Sequence, residues 1–85
     1  MTASTDSTDL DCEGLLCPLP VLKAARRLRQ MAPGDTLTLR ATDPMAAVDL
    51  PHYCNDAGHT LMQTSTHGPV TIFVIRRGPL SRKSG

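Results

Sequence analysis

Cys17, in the run Gly14-Leu15-Leu16-Cys17-Pro18-Leu19-Pro20, is the residue of this chain best placed to do chemistry. It falls where a strand-like segment ends and a helix-like segment begins. A cysteine just before a helix faces first-turn N–H groups that have no intrahelical partner. About half a positive elementary charge also accumulates at that end. Both effects favour thiolate, the nucleophilic form, so Cys17 is expected to titrate below the ~8.5 of a free cysteine. Pro18 and Pro20 fit the first turn of the helix, where a missing N–H costs little, and they stiffen the mount. Gly14 frees the backbone to leave the strand at an unusual angle. The expectation is an exposed, nucleophilic sulfur near a helix tip; the plain alternative is a small buried hydrophobe.

Other chemistry-bearing residues are less well placed. Cys12 ends the expected first strand and reads as buried, the alternative being a thiol that resolves an oxidised Cys17 as a disulfide. Cys54 follows Leu50 at a core-facing helical spacing. His52, His59 and His67 read as surface or turn residues, and no general base stands out. The closely spaced ligand pairs of zinc sites are missing, so no metal site is expected, and thiolate chemistry at Cys17 would need no organic cofactor. Lys23, Arg26, Arg27 and Arg29 form the solvated face of the first helix. Of these, Lys23, Arg26 and Arg27 are the candidates for docking an acidic partner.

The elements that must position Cys17 can be read from periodicity. Thr8 to Cys12 forms a short first strand. In the first helix Val21, Ala25, Leu28 and Ala32 share one face with Leu22, Ala24 and Met31 beside it, while Lys23, Arg26, Arg27 and Gln30 share the other. Pro33-Gly34-Asp35 stops that helix. Thr36 to Ala41 alternates, with Leu37, Leu39 and Ala41 inward and Thr38 and Arg40 outward. Asp43-Pro44 reads as an N-cap and first helical residue. Pro51 should divide the helical region opened there into a short turn over 44–48 and a main helix from about Leu50, capped by Asp49 and stopped at Gly58. Thr60 to Ser65 and Val70 to Arg76 make a hairpin around His67-Gly68-Pro69. The order β-α-β-α-β-β predicts an α/β, two-layer α+β fold: a mixed four-stranded sheet with two helices on one face.

Eighty-five residues make one domain, expected over 8–78, between a disordered arm over 1–7 and a flexible basic tail over 79–85. A net charge of +1 and only two aromatics, Tyr53 and Phe73, argue against strong nucleic-acid binding. No apolar run approaches the ~18 residues of a membrane span, and Met1 to Asp9 lacks the pattern of a secretory signal. Three cysteines at unmatched spacings suit a reducing cytoplasm better than a disulfide scaffold. A small domain with polar faces is expected to be a monomer.

Leu10-Asp11-Cys12-Glu13-Gly14-Leu15-Leu16-Cys17-Pro18-Leu19-Pro20 resembles the signature of the TusA/SirA-like sulfur carrier family, an Asp-x-x-Gly-leucine stretch running into Cys-Pro-x-Pro. The resemblance continues through Pro33-Gly34-Asp35, Asp43-Pro44, Asp49-Leu50-Pro51 with Cys54, Gly58-His59 and Ile75-Arg76-Arg77-Gly78, about residues 9–78 in all. It implies a sandwich like the C-terminal domain of translation initiation factor 3. It further implies that Cys17 carries sulfane sulfur as a persulfide or thiosulfonate, a sulfurtransferase-type covalent intermediate, between a donor protein (rhodanese or cysteine desulfurase type) and an acceptor protein. Sulfur oxidation, tRNA thiolation and molybdenum-cofactor assembly all remain open as destinations. The competing expectation is a non-catalytic regulatory or redox-sensing binding module of the same fold.

Overall fold

The structure, a computed structural model, describes residues 7–79. The expected arm and tail lie outside the described residues, except that Ser7 joins the first strand and pairs with Thr36. The elements are β1 (Ser7–Cys12), α1 (Leu19–Arg29), β2 (Thr36–Ala41), α2 (Ala46–Ala57), β3 (Thr60–His67) and β4 (Val70–Arg76). They form one sheet in the order β1-β2-β4-β3, with β1 parallel to β2 and the other two pairings antiparallel.

The alternation expected in β2 holds: Leu37, Leu39 and Ala41 are buried. Register stacks them against like neighbours, Leu10 and Cys12 of β1 opposite Leu39 and Ala41, and Ile75 and Phe73 of β4 opposite Leu37 and Leu39. Ala24 and Leu28 of α1 and Ala46, Leu50 and Cys54 of α2 complete a single core cluster. Both helices therefore cover the same face of the sheet, which is the expected two-layer sandwich. With so few aromatics, Phe73 is the largest fully buried side chain.

Two details differ from expectation. In α1 the buried stripe is Pro20, Ala24 and Leu28, whereas Leu22 and Ala32 are exposed. The helix ends at Arg29, short of Pro33, so Ala32 lies in the turn beyond it. There Gln30 and Met31 donate to the Arg27 and Leu28 carbonyls at 3.0 and 3.1 Å, and the buried Arg77 donates from Nε to Leu28 O at 2.9 Å. Orphan carbonyls at the helix end are thus satisfied from within the chain.

The second difference is that α2 runs unbroken through Pro51. Its entry is tight: Ala46, Ala47 and Val48 donate to Asp43, Pro44 and Met45 three residues back, at 3.0–3.1 Å. Pro51 forfeits only the bond to the Ala47 carbonyl, and Ala47 is exposed, so water can replace the missing donor. Asp49 consequently sits in the first turn of α2 rather than capping it.

The chain just beyond β4 is anchored. Gly78 donates its N–H to His59 Nδ1 at 2.9 Å and lies so close to the Gly58 carbonyl that a Cβ would collide with it.

Candidate functional site

Because β1 and β2 are parallel and both helices lie on one face, α1 and α2 begin side by side at the same end of the sheet. Sites of α/β sheets lie beyond the carboxyl ends of their strands, and Cys17 stands there, exposed. Hydrogen bonds fix the loop that carries it. Gly14, at φ 83°, donates to Thr42 Oγ1 at 2.9 Å, and Glu13 donates to Asp11 Oδ1 at 3.0 Å. The Cys17 backbone N–H donates to Asp43 Oδ2 at 2.6 Å, while Oδ1 of the same carboxylate accepts from Met45 N at 3.1 Å. Asp43 thus holds the turn that leads into α2 rather than capping the helix as its position before Pro44 predicts, since the N-cap is Met45 with no side-chain bond, and it also ties the cysteine loop to that turn. Pro18 is the N-cap of α1, Pro20 is its second residue, and the Cys17–Pro18 peptide is cis.

Cys17 Sγ donates its proton to Asp49 Oδ2 at 2.8 Å. This contact overturns the expected lowering of the thiol's titration. The Cys17 thiol is pushed up, first by the hydrogen bond to Asp49, then by desolvation, then by the negative charges of Asp49 and Asp43. The helix end supplies little to oppose this. Pro18 and Pro20 have no N–H, and Leu19 spends its own on Leu16 O at 2.8 Å. The prolines that stiffen the mount therefore also strip it of the donors that would stabilise a thiolate.

Asp49 is the partner of Cys17 that periodicity alone missed, because an acid one position before Leu50 and two before Pro51 resembles a cap. The parallel β1–β2 pairing could have exposed it. With the two helix starts adjacent, an acid in the first turn of α2 must face the loop leading into α1.

Cys12 and Cys54 are buried core residues, and burial pushes the Cys54 thiol to about 11. His52 and His67 are exposed, as expected; His59 is half-buried against Tyr53 and serves as the acceptor for Gly78. Lys23, Arg26 and Arg27 come together, lining with Leu10 and Gln30 an open depression of about 180 Å³. Arg27 also donates to the Asp9 carbonyl of the edge strand β1 at 3.3 Å. Among the described residues, the exposed large apolar side chains are Leu16, Leu19 and Leu22 around the start of α1, Met45 and Val48 around the start of α2, and Met62. No three His, Cys, Asp or Glu side chains gather as metal ligands among the described residues, and no helix there is long and apolar enough to cross a membrane.

Fold and site together define a small two-layer α/β domain that presents one accessible thiol at the shared start of two helices. A solved SirA-like protein from Desulfitobacterium hafniense has this fold, with a TM-score of 0.74 and 21% identity, covering 82% of this chain and 96% of that one. Two Neisseria meningitidis proteins, from serogroups A and B, each named "Putative sulfur carrier protein", are 42% identical over 71 residues, 84% of this chain and 96% of theirs. The family model described as sulfurtransferase TusA matches residues 8–77. The chain belongs to the TusA family.

Proposed function

We propose that this protein is a sulfur carrier that accepts sulfane sulfur on Cys17 and passes it to an acceptor protein. The observation that carries the reading is the position of Cys17: exposed, on a loop tied down at Gly14 and Cys17, in the segment matched by the family. Cys17 thiolate attacks the outer sulfur of a donor persulfide. The donor's S–S bond breaks, its thiolate leaves, and Cys17 becomes a persulfide. An acceptor thiolate then attacks that outer sulfur and Cys17 leaves as thiolate. The protein supplies the sulfur atom and its mount, and no cofactor enters either step.

The cargo is carried between proteins. Leu16, Leu19, Leu22, Met45 and Val48 offer a contact rim around the sulfur, and Lys23, Arg26 and Arg27 a basic region along α1 that suits an acidic partner. The test is intact mass. Reduced protein incubated with polysulfide, or with thiosulfate and a rhodanese, gains the mass of one sulfur atom. The gain disappears with dithiothreitol and is absent in Cys17→Ser. No gain with either donor, or a gain retained in Cys17→Ser, refutes the reading.

A further inference from the structure

We infer that Asp49 is the proton-transfer residue of the sulfur exchange: its carboxylate takes the Cys17 proton as the sulfur attacks and returns it to the departing donor thiolate. The inference rests on the carrier reading and adds a second reacting group to it.

The geometry is specific. Asp49 Oδ2 is 2.8 Å from Cys17 Sγ, within the distance that proton transfer requires. Both partners are held from separate elements. Asp49 is half-buried in the first turn of α2, and Cys17 is fixed through its own N–H to Asp43, whose other oxygen accepts from Met45 N in the turn that leads into the same helix. Thiol and carboxylate are therefore referenced to one rigid structure, which is what a proton relay needs.

The charged groups that face Cys17 are Asp49 from α2 and Asp43 from the loop before it. Neither carboxylate is in a salt bridge among the described residues, whose ion pairs are Arg40 with Asp11 and with Glu13, and Asp49 is the group able to take the Cys17 proton at the moment of attack.

The step balances. Cys17–SH passes its proton to Asp49 carboxylate, the sulfur attacks the outer sulfur of R–S–SH, and a new S–S bond forms as the old one breaks. The departing R–S⁻ takes the proton from Asp49, so Cys17–SH and R–S–SH become Cys17–S–SH and R–SH. One sulfur atom moves, and nothing is oxidised or reduced overall.

The relay predicts a dependence on the leaving group. Glutathione persulfide releases a basic thiolate that needs a proton. Methyl methanethiosulfonate releases a sulfinate that does not. In Asp49→Asn at neutral pH, the rate with methyl methanethiosulfonate should change little, because loss of the base is offset by easier ionisation of a thiol no longer held up by a carboxylate. The rate with glutathione persulfide should fall about a hundredfold relative to it, the lower end of what proton transfer contributes. Asp49→Glu should recover part of that ratio.

The methanethiosulfonate rate also monitors folding, since a damaged mount changes both reactions together. Equal losses with both reagents, or no change in their ratio, overturn the proposal and leave the carrier reading intact. Failure of the wild-type protein to take up sulfur from glutathione persulfide overturns the carrier reading itself, and the relay with it.

Discussion

Removing the Asp43 carboxylate should loosen the cysteine mount and the second helix together. In Asp43→Ala two backbone donors lose their acceptors, Met45 N at 3.1 Å and Cys17 N at 2.6 Å. Loss of the bond to Met45 N, in the turn before α2, costs about 1 kcal/mol as for an ordinary hydrogen bond. A hydrogen bond to a charged group contributes about 1.5–3 kcal/mol, but water can reach this half-buried site, so about 1 kcal/mol is the appropriate share. The sum, about 2 kcal/mol, corresponds to a fall in Tm of about 8–16 °C for a domain of this size. Asp43→Asn keeps one acceptor oxygen, so it should lose only about half as much. Urea and thermal denaturation followed by circular dichroism measure both variants. The tie between Cys17 and α2 is wrong if Asp43→Ala lies within about 0.5 kcal/mol of wild type, or if Asn costs as much as Ala.

Two further expectations concern the C-terminal anchor and the basic face. His59 must be neutral at Nδ1 to accept the Gly78 N–H, and burial and then Arg77 lower its titration. The unfolded chain therefore binds the proton more readily, so this contribution is complete above about pH 6.5 and is lost as pH falls below it toward the lowered folded value. Wild type should be more stable than His59→Asn near pH 7, with the gap closing toward pH 5; a gap independent of pH contradicts the assignment. Reversing charge in the depression, as in Arg26→Glu with Arg27→Glu, should slow sulfur uptake from a protein donor several-fold at low salt and leave uptake from polysulfide unchanged. Equal slowing with both donors would show that these residues act on the sulfur rather than on docking.

Much of this fold was legible because the chain's local signals agree with one another. Strict alternation in 36–41, Asp43 before Pro44, Gly58 after α2 and the Gly68-Pro69 turn each name an element boundary. The first helix was rotated in expectation because apolar residues surround it on more than one side, and Leu22 and Leu19 are exposed at the end near Cys17. Pro51 misled because a proline's effect depends on whether water can reach the carbonyl it orphans, which is a tertiary fact. In the site, Cys17 itself was readable from its neighbours, but its electrostatics were not. The helix-end effect is local and can be counted from sequence, whereas the Asp49 carboxylate reaches Cys17 across 32 positions of chain, through a sheet pairing that sets the two helix starts side by side.

A carboxylate beside a nucleophilic thiol lowers the thiolate fraction tenfold for each unit by which the thiol is raised. The thiolate that does form is more basic, and with a Brønsted slope of about 0.4–0.5 it recovers roughly threefold of that loss. The net result is a modest slowing of attack by the thiol. The same carboxylate acts more strongly on the loaded form. When an acceptor attacks the outer sulfur of a Cys17 persulfide, Cys17 is the leaving group, and a thiolate born beside Asp49 and Asp43 is a poor one. Departure becomes easy only if a proton arrives as the S–S bond breaks, and Asp49, at 2.8 Å, is the group positioned to deliver it. A carboxylate that merely hindered the thiolate would be a liability at this position. One that also moves the proton makes the sulfur slow to leave on its own and quick to leave when an acceptor thiol gives up its proton to the site.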